Sequence, residues 1–140
     1  MVPKKKPDND NIYRVLDANL NRAREGLRVL EDTARFVWDD RALFSALRRA
    51  RHGLDKATRS AYPRLVAGRE SAQDMGRRMA EGKSRVWPGL VAANFRRVQE
   101  ALRVLEEYGK VFSPNAAAPF KKIRFQIYLQ EKKALQKICY

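Results

Sequence analysis

Five polar residues recur in this chain 75 positions apart: Asn19 and Asn94, Arg22 and Arg97, Glu25 and Glu100, Arg28 and Arg103, Glu31 and Glu106. Guanidinium groups grip phosphate through paired hydrogen bonds, carboxylates hold divalent cations, and an amide presents a donor beside an acceptor. Together the set suits charge neutralisation on a phosphorylated small molecule. The same residue types also form ordinary intrahelical ion pairs, each contributing only about 0.2–0.5 kcal/mol. Any one of these charges therefore reads equally as a solvated or bracing group. The asparagines fit that role less well. Asn is a mediocre helix former, so one in each copy predicts a specific hydrogen bond, across a pseudo-twofold axis or to a ligand.

A second candidate is the segment Gly68-Arg69-Glu70-Ser71-Ala72-Gln73-Asp74-Met75-Gly76. Its glycines, hydroxyl and arginine can wrap a phosphate, and Asp74 can hold Mg²⁺. A flexible surface loop would have the same composition. It is not a P-loop, since the chain contains no G-x-x-x-x-G-K-[ST]. Other chemistries lack their parts. His52 is the single histidine and Cys139 the single cysteine, which leaves no histidine metal cluster, C-x-x-C pair or histidine relay. A nucleophile elbow and a dinucleotide fingerprint are also missing.

These residues must be positioned by helices. Ala18–Val37 and Ala93–Phe112 are identical at nine of twenty positions, so the chain contains a duplication. In both copies the apolar residues step by 4 and 3: Leu16, Leu20, Ala23, Leu27, Leu30, Ala34 and Val37, then Val91, Phe95, Val98, Leu102, Leu105, Gly109 and Phe112. That period draws one stripe down a helix and excludes a strand. The spacing predicts a first helix over about 12–38, capped by Asp10 or Asn11, and a third over about 88–112. Asp39-Asp40 ends the first and caps a second helix running to about Ser60. Ser113-Pro114 does the same before a fourth helix through Ile123, Ile127 and Leu135. The expected fold is all-α: a bundle of two pseudo-twofold-related helical hairpins, 12–60 and 87–139, joined by a linker over 61–86. A disordered basic tail over 1–11 precedes this single domain. A linker that long inside a compact domain tends to be functional.

The formal charge of +14 points to anionic partners, whether nucleic acid, acidic lipid or phosphorylated metabolites. Arginine-rich helix surfaces also simply keep proteins soluble. No apolar run approaches the roughly 20 residues of a membrane span, and the N-terminus lacks the apolar stretch of a secretory signal. A lone thiol fits a reducing, cytoplasmic setting.

Residues 19–32 (Asn-Leu-Asn-Arg-Ala-Arg-Glu-Gly-Leu-Arg-Val-Leu-Glu-Asp), Arg51-His52, Arg69, Asp74-Met75-Gly76 and residues 93–108 carry a resemblance. From about Ile12 to Leu135 the chain resembles the small all-helical hydroxymethylpyrimidine-phosphate kinase of bacterial thiamin synthesis, a domain often fused N-terminal to thiamin-phosphate synthase. The resemblance implies transfer of a phosphoryl group from ATP, with Mg²⁺, to 4-amino-5-hydroxymethyl-2-methylpyrimidine phosphate. The acceptor oxygen is already ionised near neutral pH, so alignment and charge neutralisation matter more than a strong base. On this reading Asp74, Arg69, Arg22 and Arg97 are catalytic. Asn19, Asn94, Arg28, Arg103, Arg51 and Gly76 bind substrate, with an asparagine amide matching the aminopyrimidine edge. Glu31, Glu106 and Asp74 hold the metal, and Asp74 and Arg69 are expected over the groove between the hairpins, near Glu31 or Glu106. The alternative is a non-catalytic module that docks on or dimerises thiamin-phosphate synthase. A nucleic-acid partner is disfavoured because no reader motif accompanies the charge. A membrane partner is not expected, and a homodimer is left open.

Overall fold

The computed structural model describes residues 6–80, 82 and 86–138. Its α-helices are α1 (Asn9–Asp32), α2 (Arg41–Thr58), α3 (Tyr62–Ala67), α4 (Trp87–Phe112) and α5 (Ala118–Leu135), and there is no strand among the described residues. Short 3₁₀ turns occupy Ser71–Gln73, Met75–Arg78 and Pro114–Ala117.

Helix α1 starts three residues before the expected Ile12, because Asp8 is the better cap. Its carboxylate accepts from the Asn11 backbone N–H at 2.8 Å, and the Asn11 side chain accepts from the Asp8 N–H at 3.3 Å. This reciprocal capping box satisfies two otherwise orphaned donors. The expected tail over 1–11 is thus shortened, with Asn9–Asn11 helical; residues 1–5 lie outside the described residues. At its other end α1 widens into a π turn over Thr33–Val37. The extra residue per turn rotates Val37 off the apolar stripe, and its side chain is exposed instead of buried as the spacing suggests. Asp39 then takes a φ of 48°, the left-handed conformation that aspartate tolerates, and the chain reverses into α2. Asp40 caps α2 by accepting from Leu43 N at 3.0 Å. Ser113 caps the turn before α5 by accepting from the Asn115 N–H.

The helices pack as a ring: α1 on α2, α2 on α5, α5 on α4, and α4 on α1, the last being the most extensive contact. Leu20, Leu27 and Leu30 from α1 meet Leu47 and Leu54 from α2, Phe95, Leu102 and Leu105 from α4, and Ile127 from α5 in one core. Each fully buried leucine or phenylalanine contributes about 1.5–3 kcal/mol relative to exposure. Helices α1 and α4 run antiparallel, with an aromatic pair at each end. Tyr13 stacks on Phe112 at 5.0 Å, and Trp38 meets Trp87 edge-on at 5.7 Å. Between these ends the helices are packed tightly at Gly26, where an added Cβ would lie 2.7 Å from Val98 Cγ2. In the linker, α3 packs on α1 and the 3₁₀ turns follow. Glu81, Lys83, Ser84 and Arg85 of the expected linker, and Cys139 at the end of the second hairpin, lie outside the described residues.

Candidate functional site

The structure sorts the sequence-predicted residues into three places. The first is a cavity of about 560 Å³ where the end of α1 faces the start of α2, lined by Arg28, Arg35, Arg41, Arg48 and Arg51 together with Asp39, Asp40 and Phe44. Arg51 is held there by Glu31, which is 0% exposed and does not itself line the cavity. Arg51 donates Nε to Glu31 Oε2 at 2.7 Å and Nη2 to Oε1 at 3.1 Å. That pairing holds the Arg51 guanidinium charged above its ordinary range, against the opposing cost of burial. Arg28 Nη1 lies 4.0 Å from the same carboxylate and its side chain reaches solvent. Arg35 stacks over the rings of Phe36 and Phe44.

The second place is a groove of about 850 Å³ between α1 and α4, lined by Asn19, Arg22, Arg96, Arg97 and Glu100 over a floor of small residues. Asn19, which lines this groove, and its counterpart Asn94 make the same contacts. Asn19 Nδ2 donates to Val15 O at 2.9 Å, and its Oδ1 accepts from Arg22. Asn94 Nδ2 donates to Leu90 O at 2.8 Å, and its Oδ1 accepts from Arg97. Each amide's hydrogen bonds are made inside its own helix, and none crosses the α1–α4 contact. Each amide orients the arginine one turn on.

The third place is a cleft of about 290 Å³ between α1 and the linker, lined by Arg14, Asp17, Asn21, Arg69, Ser71 and Asp74. Arg69 donates Nε and Nη2 to the two Asp17 oxygens at 2.8 and 2.7 Å. Asp17 is buried, and its carboxylate raises the Arg69 pKa well above the ordinary arginine value. Asp74 Oδ1 accepts from the Gly76 N–H at 2.8 Å, which leaves its second oxygen free for other partners.

Several expectations are corrected by this arrangement. Asp74 and Arg69 sit at the Asp17 level of α1, fourteen residues and about 21 Å of helix axis from Glu31. They do not lie beside Glu31, and Glu106 does not line their cleft. Nor are those two glutamates open for metal. Glu106 is buried and accepts from Arg124 Nε and from Arg124 Nη2, the latter at 2.9 Å, while Glu31 is taken by Arg51. A cation at either would have to displace a guanidinium from a buried carboxylate, which leaves an uncompensated charge. Among the described residues no group of three or more His, Cys, Asp or Glu side chains is arranged to hold a metal ion. Arg103 is at the surface, paired with Glu107 at 3.3 Å.

Arg35, Arg41, Arg48, Asp17 and Arg124 escaped the sequence reading. Arg124 was findable, since it stands 73 residues after Arg51 and serves the duplicated glutamate in the same way. Asp17 had no such signal, because its counterpart 75 residues on is Ala92.

The arginine-lined cavity, the buried Glu31–Arg51 pair and the linker clasp all fall within residues 14–133, the span matched by the ThiD2 family model. The chain belongs to the ThiD2 family. It is also similar to curated proteins named thiamine-phosphate synthase. The one from Nostoc punctiforme is 42% identical over 123 residues, covering 86% of this chain and 34% of the relative. That from Thermosynechococcus vestitus is 41% identical over 128 residues, covering 89% and 36%, and that from Synechocystis 40% over 123 residues, covering 86% and 35%. This chain thus spans about a third of the length of the curated relatives it matches. No solved structure matches it significantly. No helix among the described residues is long and apolar enough to cross a membrane.

Proposed function

We propose that this ThiD2-family chain is a kinase of thiamin biosynthesis, which transfers a phosphoryl group from ATP to 4-amino-5-hydroxymethyl-2-methylpyrimidine phosphate and forms the diphosphate. The observation that carries this reading is the convergence of Arg28, Arg35, Arg41, Arg48 and Arg51 on one cavity of small-molecule size. Both reactants are phosphate esters, and the acceptor is a phosphate oxygen that needs no strong base. What the reaction requires is neutralisation of the charge gathered between donor and acceptor, and fixed arginines supply it. Arg51, held by buried Glu31, is positioned before any ligand arrives. Arg22 and Arg97, oriented by Asn19 and Asn94, offer a second pair of guanidinia in the α1–α4 groove.

Mg²⁺ commonly binds through one or two carboxylates and the phosphates of the nucleotide. Asp74 has an oxygen open, whereas Glu31 and Glu106 do not, but it lies in the linker cleft, so a metal held there would serve phosphates bound at that cleft and not in the arginine-lined cavity. The ion's contribution when bound is charge neutralisation on the phosphates. Incubation of the purified chain with Mg-ATP and the pyrimidine monophosphate, followed by ³¹P spectroscopy, tests the proposal. Diphosphate product supports it. A folded protein giving no product overturns it.

The names of the relatives favour a second reading, in which the chain is a docking module for a thiamin-phosphate synthase domain in a longer parent protein. Phe125, Tyr128 and Leu129 on α5 form an exposed apolar face suited to such a contact. ATP turnover by the isolated chain separates the two. The pseudo-twofold relation of the hairpins and a cytoplasmic location belong to the same proposal, supported by the matched Asn–Arg and Glu–Arg contacts and by the scarcity of cysteine.

A further inference from the structure

Arginines grip buried carboxylates in this chain by one edge. Arg51 on Glu31, Arg69 on Asp17 and Arg124 on Glu106 each donate Nε and Nη2 to the two oxygens. Arg22 and Arg97 turn a different corner of the guanidinium to the protein. Arg22 Nη1 lies 3.3 Å from Asn19 Oδ1, and Arg97 Nη1 lies 3.5 Å from Asn94 Oδ1. Their Nε–Nη2 edges donate to nothing among the described residues, and no carboxylate lies within ion-pair distance of either. Glu25 and Glu100 stand three residues on, the spacing of an ordinary intrahelical pair, yet neither closes one. Unpaired surface arginines are common. These two differ because the duplication keeps them together with the buried amides they meet.

Both arginines line the groove of about 850 Å³ between α1 and α4, in company with Arg96 and Glu100. Arg97 reaches across onto α1 at Gly26, where an added Cβ would lie 3.8 Å from its Cδ. Gly26 is four residues beyond Arg22, about 6 Å along the axis, so the two guanidinia share one stretch of α1. Three arginines against one carboxylate leave the groove positive, and a concave positive site draws anions.

The repeat also shows where a ligand has room. On α1, Arg14, Asp17 and Asn21 line the cleft that the linker closes through Arg69. Their α4 counterparts are Gly89, Ala92 and Arg96, which line the groove instead. The anchor of the clasp has become an alanine, and a face that is covered on the first hairpin is open on the second. The volume is that of a small-molecule pocket.

We infer that the α1–α4 groove binds the phosphate monoester of a small molecule, with phosphate oxygens on the Nε–Nη2 edges of Arg22 and Arg97 and the organic part over Ala92 and Ala93. Two guanidinium edges match one dianionic phosphate in charge and in hydrogen-bond geometry. Arg28 of the arginine-lined cavity stands about 120° round α1 from Arg22, so the groove is a separate site. The assignment does not rest on the kinase reading.

A ¹H–¹⁵N NMR titration of the whole chain tests it without turnover, using the pyrimidine monophosphate and, separately, inorganic phosphate. The Arg22 and Arg97 Nε–H resonances and the Ala92 and Ala93 amides should shift saturably with the monophosphate. Inorganic phosphate should reach the same arginines about tenfold more weakly, since it makes no contact with the floor. Arg22→Ala and Arg97→Ala should each weaken the monophosphate by about tenfold, the loss of one charge-assisted contact. Arg22→Lys keeps the charge without the fork and should stay weaker than the parent. Arg49→Ala removes an equal charge from α2 outside the groove and should leave these shifts unchanged. All these side chains are exposed, so thermal melting should show every variant folded. Parental affinity in both alanine variants, full recovery in Arg22→Lys, equal weakening by Arg49→Ala, or equal affinity for inorganic phosphate would each overturn the assignment.

Discussion

Arg51 meets Glu31 side-on, through Nε and Nη2 to the two carboxylate oxygens, with the carboxylate wholly buried. Arg124 uses the same two nitrogens on Glu106. Each pair ties the long central helix of a hairpin to its shorter partner. A buried ion pair adds little net stability, because desolvation offsets the attraction, but removing one member strands the other. The pairs are therefore better understood as fixing how α1 sits on α2 and α4 on α5.

Substituting either glutamate should thus cost stability to a similar degree. Glu31→Ala and Glu106→Ala are each expected to lose about 3–5 kcal/mol in urea unfolding. The Mg²⁺ concentration needed for half-maximal turnover should not rise in whatever folded protein remains. A variant with unchanged stability and a raised Mg²⁺ requirement would restore these carboxylates to the metal-binding role that the sequence suggested.

Asp40 provides a pH-dependent contribution. Its carboxyl is held below the ordinary 3.8, first by the Leu43 N–H and then by Lys137, which lies 3.1 Å away. A group depressed on folding stabilises the protein above its unfolded pKa, and that contribution is lost as pH falls through the folded value. Asp40→Ala should then cost about 0.5–2 kcal/mol at neutral pH, the usual size of a lost N-cap. The penalty should shrink below about pH 4 as the parent's own carboxylate protonates. Chemical unfolding of both proteins at about pH 7 and pH 3 measures it, and a pH-independent difference would refute the assignment.

The α1–α4 crossing gives a third test. Gly26→Ala gains about 1 kcal/mol of helix propensity but pushes a methyl against Val98. Valine is stiff at χ1 and both helices are anchored at their ends by aromatic pairs, so the overpacking cost of about 1–3 kcal/mol should win. Gly26→Ala combined with Val98→Ala should recover part of the loss, and a lack of coupling between the two would argue against the contact.

The fold was legible because its signal is redundant. Leu20, Leu27 and Leu30 repeat the helical period that Phe95, Leu102 and Leu105 repeat again, and Asp40 and Ser113 mark the reversals. The misplaced ends have local causes: Asp8 outcompetes Asp10 and Asn11 as a cap, and the π turn at Thr33 rotates Val37 into solvent. The site was less legible. The duplicated residues stood out, yet duplication preserves whatever holds two hairpins together as readily as whatever binds a ligand. Glu31 and Glu106 are taken by arginines of the neighbouring helices, and the hydrogen bonds of Asn19 and Asn94 stay within their own helices. The arginines that line the cavity, Arg35, Arg41 and Arg48, have no identical counterparts in the second copy. A search for repeats passes over them for that reason.

Beyond α3 the linker is tied to α1 by the Arg69–Asp17 pair, and removal of that clasp is the last test. Arg69 reaches α1 only through Asp17, and beyond it the chain makes just two short 3₁₀ turns, with every residue from Arg69 to Ala80 exposed. Arg69→Met leaves the buried Asp17 carboxylate without its counter-ion. Because Arg69 is itself about a third exposed, solvent screens part of that cost. A global loss of about 1–2 kcal/mol is expected, smaller than for the fully buried pairs. The local effect should be larger. Trypsin should cut after Arg77 or Arg78 sooner in Arg69→Met than in the parent at equal global stability, since local opening governs cleavage of a low-stability segment. Asp74→Ala, by contrast, should melt with the parent and resist trypsin as the parent does, yet lose turnover if the cleft supplies the metal-holding carboxylate. Full activity in Asp74→Ala would leave the clasp as a structural strap alone.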